Sequence, residues 1–173
     1  FGIGSRFHSA PVIRLADAKP MELSHTVKAD ARWHIFAFSP DEDPSAKGSA
    51  IRRLCDYLNS DASPIRRFTP AGADVDSVID LRAIFQQPYR DLSVEKMPAL
   101  FLPKKVKLGQ VDYEKMFSPD LKSGRYIFDL RGIDRARGAI VIVRPDQYVA
   151  HVLPIDDHDA LADFFAGFLL PQD

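Results

Sequence analysis

Between Gly138 and Leu170 the spacing of hydrophobic positions changes from continuous to alternating to helical. Ala139 to Val143 (AIVIV) is an unbroken apolar run rich in β-branched residues, the pattern of a strand buried on both faces. Arg144-Pro145-Asp146-Gln147 predicts a turn, because proline presets φ at the second turn position and aspartate suits the third. Tyr148 to Leu153 predicts the returning strand, and Pro154 ends it. Leu161, Phe164, Phe165, Phe168 and Leu169 then fall at i, i+3, i+4, i+7 and i+8, one face of an amphipathic helix. Asp156 is the expected cap of that helix, with Asp157 and Asp159 placing negative charge at its positive end. A hairpin followed by a helix that packs back on it is an α/β closing unit.

Earlier in the chain, Pro11 to Ala16 predicts a short strand ended by Asp17 to Pro20, and Leu23 to Ala29 an edge strand or ordered loop. Trp33 to Phe38 (WHIFAF) predicts a strong strand. Two prolines and three acids make Ser39 to Pro44 a loop. Asp43 as N-cap and Pro44 as first helical residue predict a helix whose buried stripe is Ile51, Leu54, Cys55 and Leu58, ending at Asn59. Ile65 to Phe68 reads as a short strand. Val78 to Phe85 predicts a strand with Ile79, Leu81, Ala83 and Phe85 on its buried face and Asp80, Arg82 and Ile84 on a mixed one. From Gln86 to Leu108 three prolines interrupt the pattern, and only Ala99 to Leu102 is strand-like. Tyr113 to Phe117 reads as a helical turn, and Tyr126 to Leu130 as buried. This order predicts an α/β fold with a sheet covered on both sides.

The chain has 173 residues, 46% of them hydrophobic and 27% charged, with a net charge of -1. That length fits one domain with a full core, in which residues 1–20 are expected to link back to a preceding domain. The balanced charge gives no electrostatic case for nucleic acid or an anionic membrane. No apolar run reaches the roughly 18 residues of a membrane span, and the opening shows no leader pattern. A single cysteine excludes an internal disulfide and points to the cytoplasm. The opening FGIGSRFHSAP is loop-like and begins without methionine, so we expect a piece of a longer polypeptide cut near a domain boundary.

The order of elements resembles the thioredoxin fold, a central mixed sheet flanked by helices. Redox members of that fold carry Cys-x-x-Cys where the first buried strand meets its helix, and a cis-proline before the closing hairpin. Here Ser39 to Lys47 contains no cysteine and Gly138-Ala139 stands before the hairpin. Cys55 is expected about three turns inside the helix. The resemblance therefore implies a thioredoxin-like domain without CxxC chemistry.

A more specific resemblance rests on RFHSAPVIRLADAKPMELSHTVKADARWHIFAF and on GAIVIVRPDQYVAHVLP. These segments are similar to the C-terminal domain of FAD-dependent aromatic hydroxylases, the phenol 2-monooxygenase and 3-hydroxybenzoate 4-monooxygenase group. The similarity is weakest from Gln86 to Lys122. It implies a parent enzyme using FAD and NADPH, whose FAD and substrate domains precede this segment, and a homodimer. It implies interdomain packing and dimerisation for this segment, with no catalytic, cofactor-binding or metal residue of its own.

The residues agree with that division. No Gly-x-Gly-x-x-Gly follows a strand, so the usual dinucleotide site is lacking. Cys55, spaced with Ile51, Leu54 and Leu58, reads as a packing cysteine rather than a reactive thiol. His151, Asp156, Asp157, His158 and Asp159 lack zinc-ligand spacing. No Gly-x-Ser-x-Gly elbow suggests a hydrolase. Lys104 to Lys107 and Arg131 to Arg137 read as solvated or interdomain faces. Tyr89, Leu92, Met97 and Phe101, apolar residues in a proline-broken stretch, are expected to be partly exposed and to form an interface. The alternatives are a stand-alone thioredoxin-like interaction module and a thiol-dependent peroxidase, the latter disfavoured by the position of Cys55.

Overall fold

Trp33–Phe38 is an interior strand of a seven-stranded sheet. The computed structural model describes residues 1–172. In chain order the elements are β1 (Pro11–Arg14), β2 (Lys19–Glu22), β3 (Trp33–Phe38), α1 (Ala50–Leu58), α2 (Pro64–Phe68), β4 (Ile79–Ile84), β5 (Met116–Pro119), α3 (Ile127–Arg131), β6 (Ala139–Val143), β7 (Val149–Leu153) and α4 (His158–Ala166). The strand order is β2-β1-β5-β4-β3-β6-β7. β3, β4 and β5 run parallel, and β6, β7, β1 and β2 extend the sheet by antiparallel pairs.

The strand period of two divides the core. Ile35 and Ala37 of β3, Ile79, Leu81 and Ala83 of β4, and Ile140 and Ile142 of β6 face α1, α2 and α4. Phe36, Phe38, Ile84, Val141 and Val143 face the opposite side, where Phe7, Leu23, Val27, Ile127 and Phe128 cover them. Residues 1–20 are thus part of the fold, not a linker: Phe7 and Val12 are buried, and β1 is hydrogen-bonded into the sheet.

Several local expectations are corrected. Ile65 to Phe68 is helical, because Ser63 accepts from the Arg66 N–H and Pro64 occupies the first turn. Tyr113 to Phe117 is not a helical turn; Met116–Pro119 fits between β1 and β4 as β5. Ala99–Phe101 forms a 3₁₀ turn after Pro98 instead of a strand, and Leu23–Thr26 forms another. Lys19 and Pro20, expected only to end the first strand, belong to β2, Lys19–Glu22. In the closing helix Asp157, not Asp156, accepts the capping hydrogen bond from the Ala160 N–H. The hairpin, β3, β4 and the buried stripe of α1 stand where the periodicity puts them.

Candidate functional site

The loop after β3 is where a thiol redox site of this fold would stand. Asp43 does not cap the helix; its side chain accepts from the Ser45 N–H at 2.9 Å and closes a local turn. α1 starts later, at Ala50, with Ser49 accepting from the Arg52 N–H. Glu42 reaches back so that its Oε1 accepts the Ala50 N–H at 2.5 Å. A helix N-terminus stabilises a thiolate by its positive end; here a carboxylate already occupies that position. Cys55 lies in the second turn of α1, nearer its start than expected, and is 1% exposed. Burial pushes its thiol pKa well up, and the nearby Asp56 charge adds to this. An enclosed, protonated sulfur is a packing group, not a nucleophile.

Gly138, at the position before the hairpin, has φ +66°. A Cβ there would lie 2.4 Å from the Phe38 carbonyl oxygen and 2.9 Å from Pro40 Cδ. The close approach of these two backbones accounts for glycine at this place. Pro40, Glu42, Arg53, Arg137, Gly138 and Pro154 line a cleft of about 550 Å³, which has no cysteine, serine or lysine in its lining.

The other sequence candidates resolve into structure. His158 stacks on Tyr57 with ring centroids 4.6 Å apart, and His151 faces Phe164 at 5.5 Å. Among the described residues no group of three or more His, Cys, Asp or Glu side chains is gathered for a metal ion. Lys105 pairs with Asp76 at 2.6 Å. Arg135 bonds Asp129 and lies over the Tyr126 ring, 3.9 Å from its centroid.

The charges that the sequence placed on a mixed face of β4 are buried. Asp80 and His34 are fully enclosed, Lys115 is 1% exposed, and Arg82 and Asp76 are nearly so. Asp80 accepts from His34 Nδ1 at 3.2 Å, Arg82 Nε at 2.8 Å and Lys115 Nζ at 2.5 Å. Lys115 also reaches Asp76 at 2.6 Å and Asp112 at 3.2 Å. Burial alone would raise the Asp80 pKa; the His34 hydrogen bond and the charges of Arg82 and Lys115 more than offset it and hold it well below the usual carboxylate range. Burial likewise disfavours the charge on Lys115, but Asp80 and Asp76 leave its pKa raised. Every charge has an opposite neighbour and its central members, His34, Asp80 and Lys115, are enclosed by protein, so the cluster ties β3, β4 and the lead into β5 together. The signal for it was Asp80 and Arg82 two residues apart, on one strand face.

The four expected interface residues separate. Met97 and Phe101 are 5% and 0% exposed within the single chain and belong to the helix-side core, so their expected exposure is corrected. Pro98 turns the chain into a 3₁₀ segment that carries the Phe101 ring inward. Tyr89 and Leu92 are half-buried against the same core. Tyr89 borders a groove of about 340 Å³ with Ile13, Pro20, Pro88, Pro119 and Leu121. An aromatic cluster lies elsewhere, where half-buried Trp33 and Phe164 meet Phe168 beside the end of α4, and Phe168 is 46% exposed. No helix among the described residues is long and apolar enough to cross a membrane.

Comparison with solved structures supports the fold. The chain is similar to a peroxiredoxin-like protein from Aquifex aeolicus, with a TM-score of 0.57 at 10% identity, covering 96% of this chain and 87% of that one. A peroxidoxin from Mycobacterium tuberculosis gives 0.54 at 13% identity over 96% of this chain and 97% of that one. The fold is therefore thioredoxin-like, here with one cysteine and no CxxC pair. Among curated proteins, the chain is 57% identical to a 3-hydroxybenzoate 4-monooxygenase of Comamonas testosteroni, over 98% of this chain and 27% of that protein. It is 35% identical to an FAD-dependent monooxygenase of Aspergillus terreus, over 96% of this chain and 28% of that protein. The chain thus spans a little over a quarter of the length of these relatives. The family model for the phenol hydroxylase C-terminal dimerisation domain matches residues 1–173, and the chain belongs to that family.

Proposed function

We propose that this chain is the association domain of an FAD- and NADPH-dependent monooxygenase that hydroxylates a phenolic ring, and that it holds two copies of that enzyme together without taking part in the chemistry. The observation that carries this reading is the Glu42 carboxylate on the N-terminus of α1, combined with a buried Cys55. The fold keeps its scaffold while the position that would activate a thiol holds a group that excludes one. The family match supports association as the remaining role. Glu42 already occupies the N-terminus of α1, the helix end where a cofactor phosphate would otherwise be held. FAD and NADPH therefore belong to the preceding domains of the parent chain. Tyr89 and Leu92, with the groove beside them, are the part of the expected interface still available for packing against those domains.

The test uses the chain by itself. Sedimentation equilibrium should detect self-association with a dissociation constant below about 1 mM, and the protein should copurify with no flavin absorbance and reduce no insulin disulfides. A strict monomer over that range, or thiol turnover that disappears in Cys55→Ala, would overturn the reading.

A further inference from the structure

We propose that the aromatic ledge of Trp33, Phe164 and Phe168 is the surface on which a second copy of this chain docks; the proposal rests on the dimerisation reading above and specifies where it acts. α4 turns Leu161 and Phe165 into the core and leaves Phe164 on its flank, where Phe168, in the turn just past the helix end, packs beside it. Trp33, at the start of β3, completes the surface: its ring centroid lies 4.7 Å from that of Phe168, and Phe168 lies 5.3 Å from Phe164. Leu170, 79% exposed, extends the apolar area. Clustered aromatic rings of this kind anchor protein interfaces. Arg32, the nearest cation in sequence, is already tied to Asp30 at 2.7 Å.

The position of the ledge identifies the occupant. About three quarters of the relatives' length lies outside this chain, and in a C-terminal domain that length joins at Phe1. Phe1 stacks on Phe7 at 5.0 Å and contacts Phe38 at 5.8 Å. Phe7 and Phe38 belong to the other face of the sheet, and Phe38 to the other end of β3. The preceding domains thus join on the opposite side of the sheet, and the ledge points away from that junction, open to another molecule. The sheet edges are less suited to pairing two copies. Pro20 interrupts β2, and residues 4–7 already hydrogen-bond along Gln147 and Val149. Side-chain docking at the ledge is the contact these observations favour.

The experiment uses the full-length flavoprotein. Phe168→Glu should raise the dimer dissociation constant at least about 100-fold, so that sedimentation at micromolar protein shows monomer with flavin still bound. Phe168→Ala, which deletes the ring without adding charge, should weaken the dimer by at least about 10-fold, with an unchanged far-UV circular dichroism spectrum. Leu121→Glu, in the groove beside Tyr89 at the β1–β5 end of the sheet, away from the ledge, should leave the dimer intact. A wild-type dimer that Phe168→Glu and Phe168→Ala leave equally tight would overturn the ledge while keeping the dimerisation reading. A wild-type protein monomeric at every concentration would overturn both.

Discussion

Replacing Asp80 with asparagine tests the energetics of the fold at its most polar point. The substitution keeps the shape of the side chain and removes its charge. Asp80 accepts from three donors, His34, Arg82 and Lys115. An asparagine offers one acceptor oxygen and turns an NH₂ toward the remaining donors, so at least one buried N–H loses its partner. Lys115 keeps Asp76 and Asp112, but Arg82 and Lys115 no longer have a carboxylate between them. Removing one member of a buried ion pair costs about 3–5 kcal/mol. For a domain of this size that is a fall in melting temperature of roughly 6–20 °C. The pH dependence distinguishes this from a packing effect. The folded pKa of Asp80 lies below the ordinary value of 3.8, so the unfolded chain takes up the proton first as pH falls. Stability from the carboxylate is complete above about pH 5 and is lost progressively below the unfolded value. Urea unfolding of both proteins should show a constant gap from about pH 5 to 8 that narrows below about pH 4. A gap under about 1 kcal/mol at neutral pH, or one that does not narrow in acid, would refute the network as a source of stability.

Two further outcomes follow from the core. Phe165→Ala should cost about 3–5 kcal/mol, because the ring is fully buried against Trp33 at 5.9 Å and Phe164 at 5.2 Å; a urea midpoint equal to wild type would contradict that packing. Cys55 should react with a soluble disulfide reagent only as fast as the chain unfolds, since its thiol is enclosed and its pKa raised; fast labelling of the native chain at neutral pH would contradict it.

The elements legible in the sequence were those in which side-chain period and burial agree. AIVIV, rich in β-branched residues, suggested a buried strand, and Ile51, Leu54, Cys55 and Leu58 have the spacing of one helical face. Where the chain is short of regular contacts, local capping and tertiary pairing decided instead. Ser63-Pro64 made IRRF a helical turn, although its apolar ends suit a strand. MFSP became a strand because β1 and β4 offer edges on both sides of it, a fact absent from its own residues. Phe101 was placed at an interface because prolines break its period, yet Pro98 turns its ring into the core. The loss of thiol chemistry was readable from the missing cysteines, but Glu42 as occupant of the helix end was not, because it reaches the Ala50 N–H across an irregular loop. The aromatic ledge joins Trp33 to residues far along the chain; the helical spacing predicted one apolar face for α4, and did not show that Phe168 stays exposed while Phe165 is covered.

The central claim, association without chemistry, is tested most directly by deleting residues 1–173 from the full-length protein and following sedimentation of the product at two wavelengths, one for protein and one for flavin. The account predicts that the intact protein sediments as a flavin-bearing dimer and that the truncated protein sediments as a monomer with the flavin signal moving at the same rate. A truncated protein that remains a dimer, or a monomer that has lost its flavin while staying folded, would contradict it.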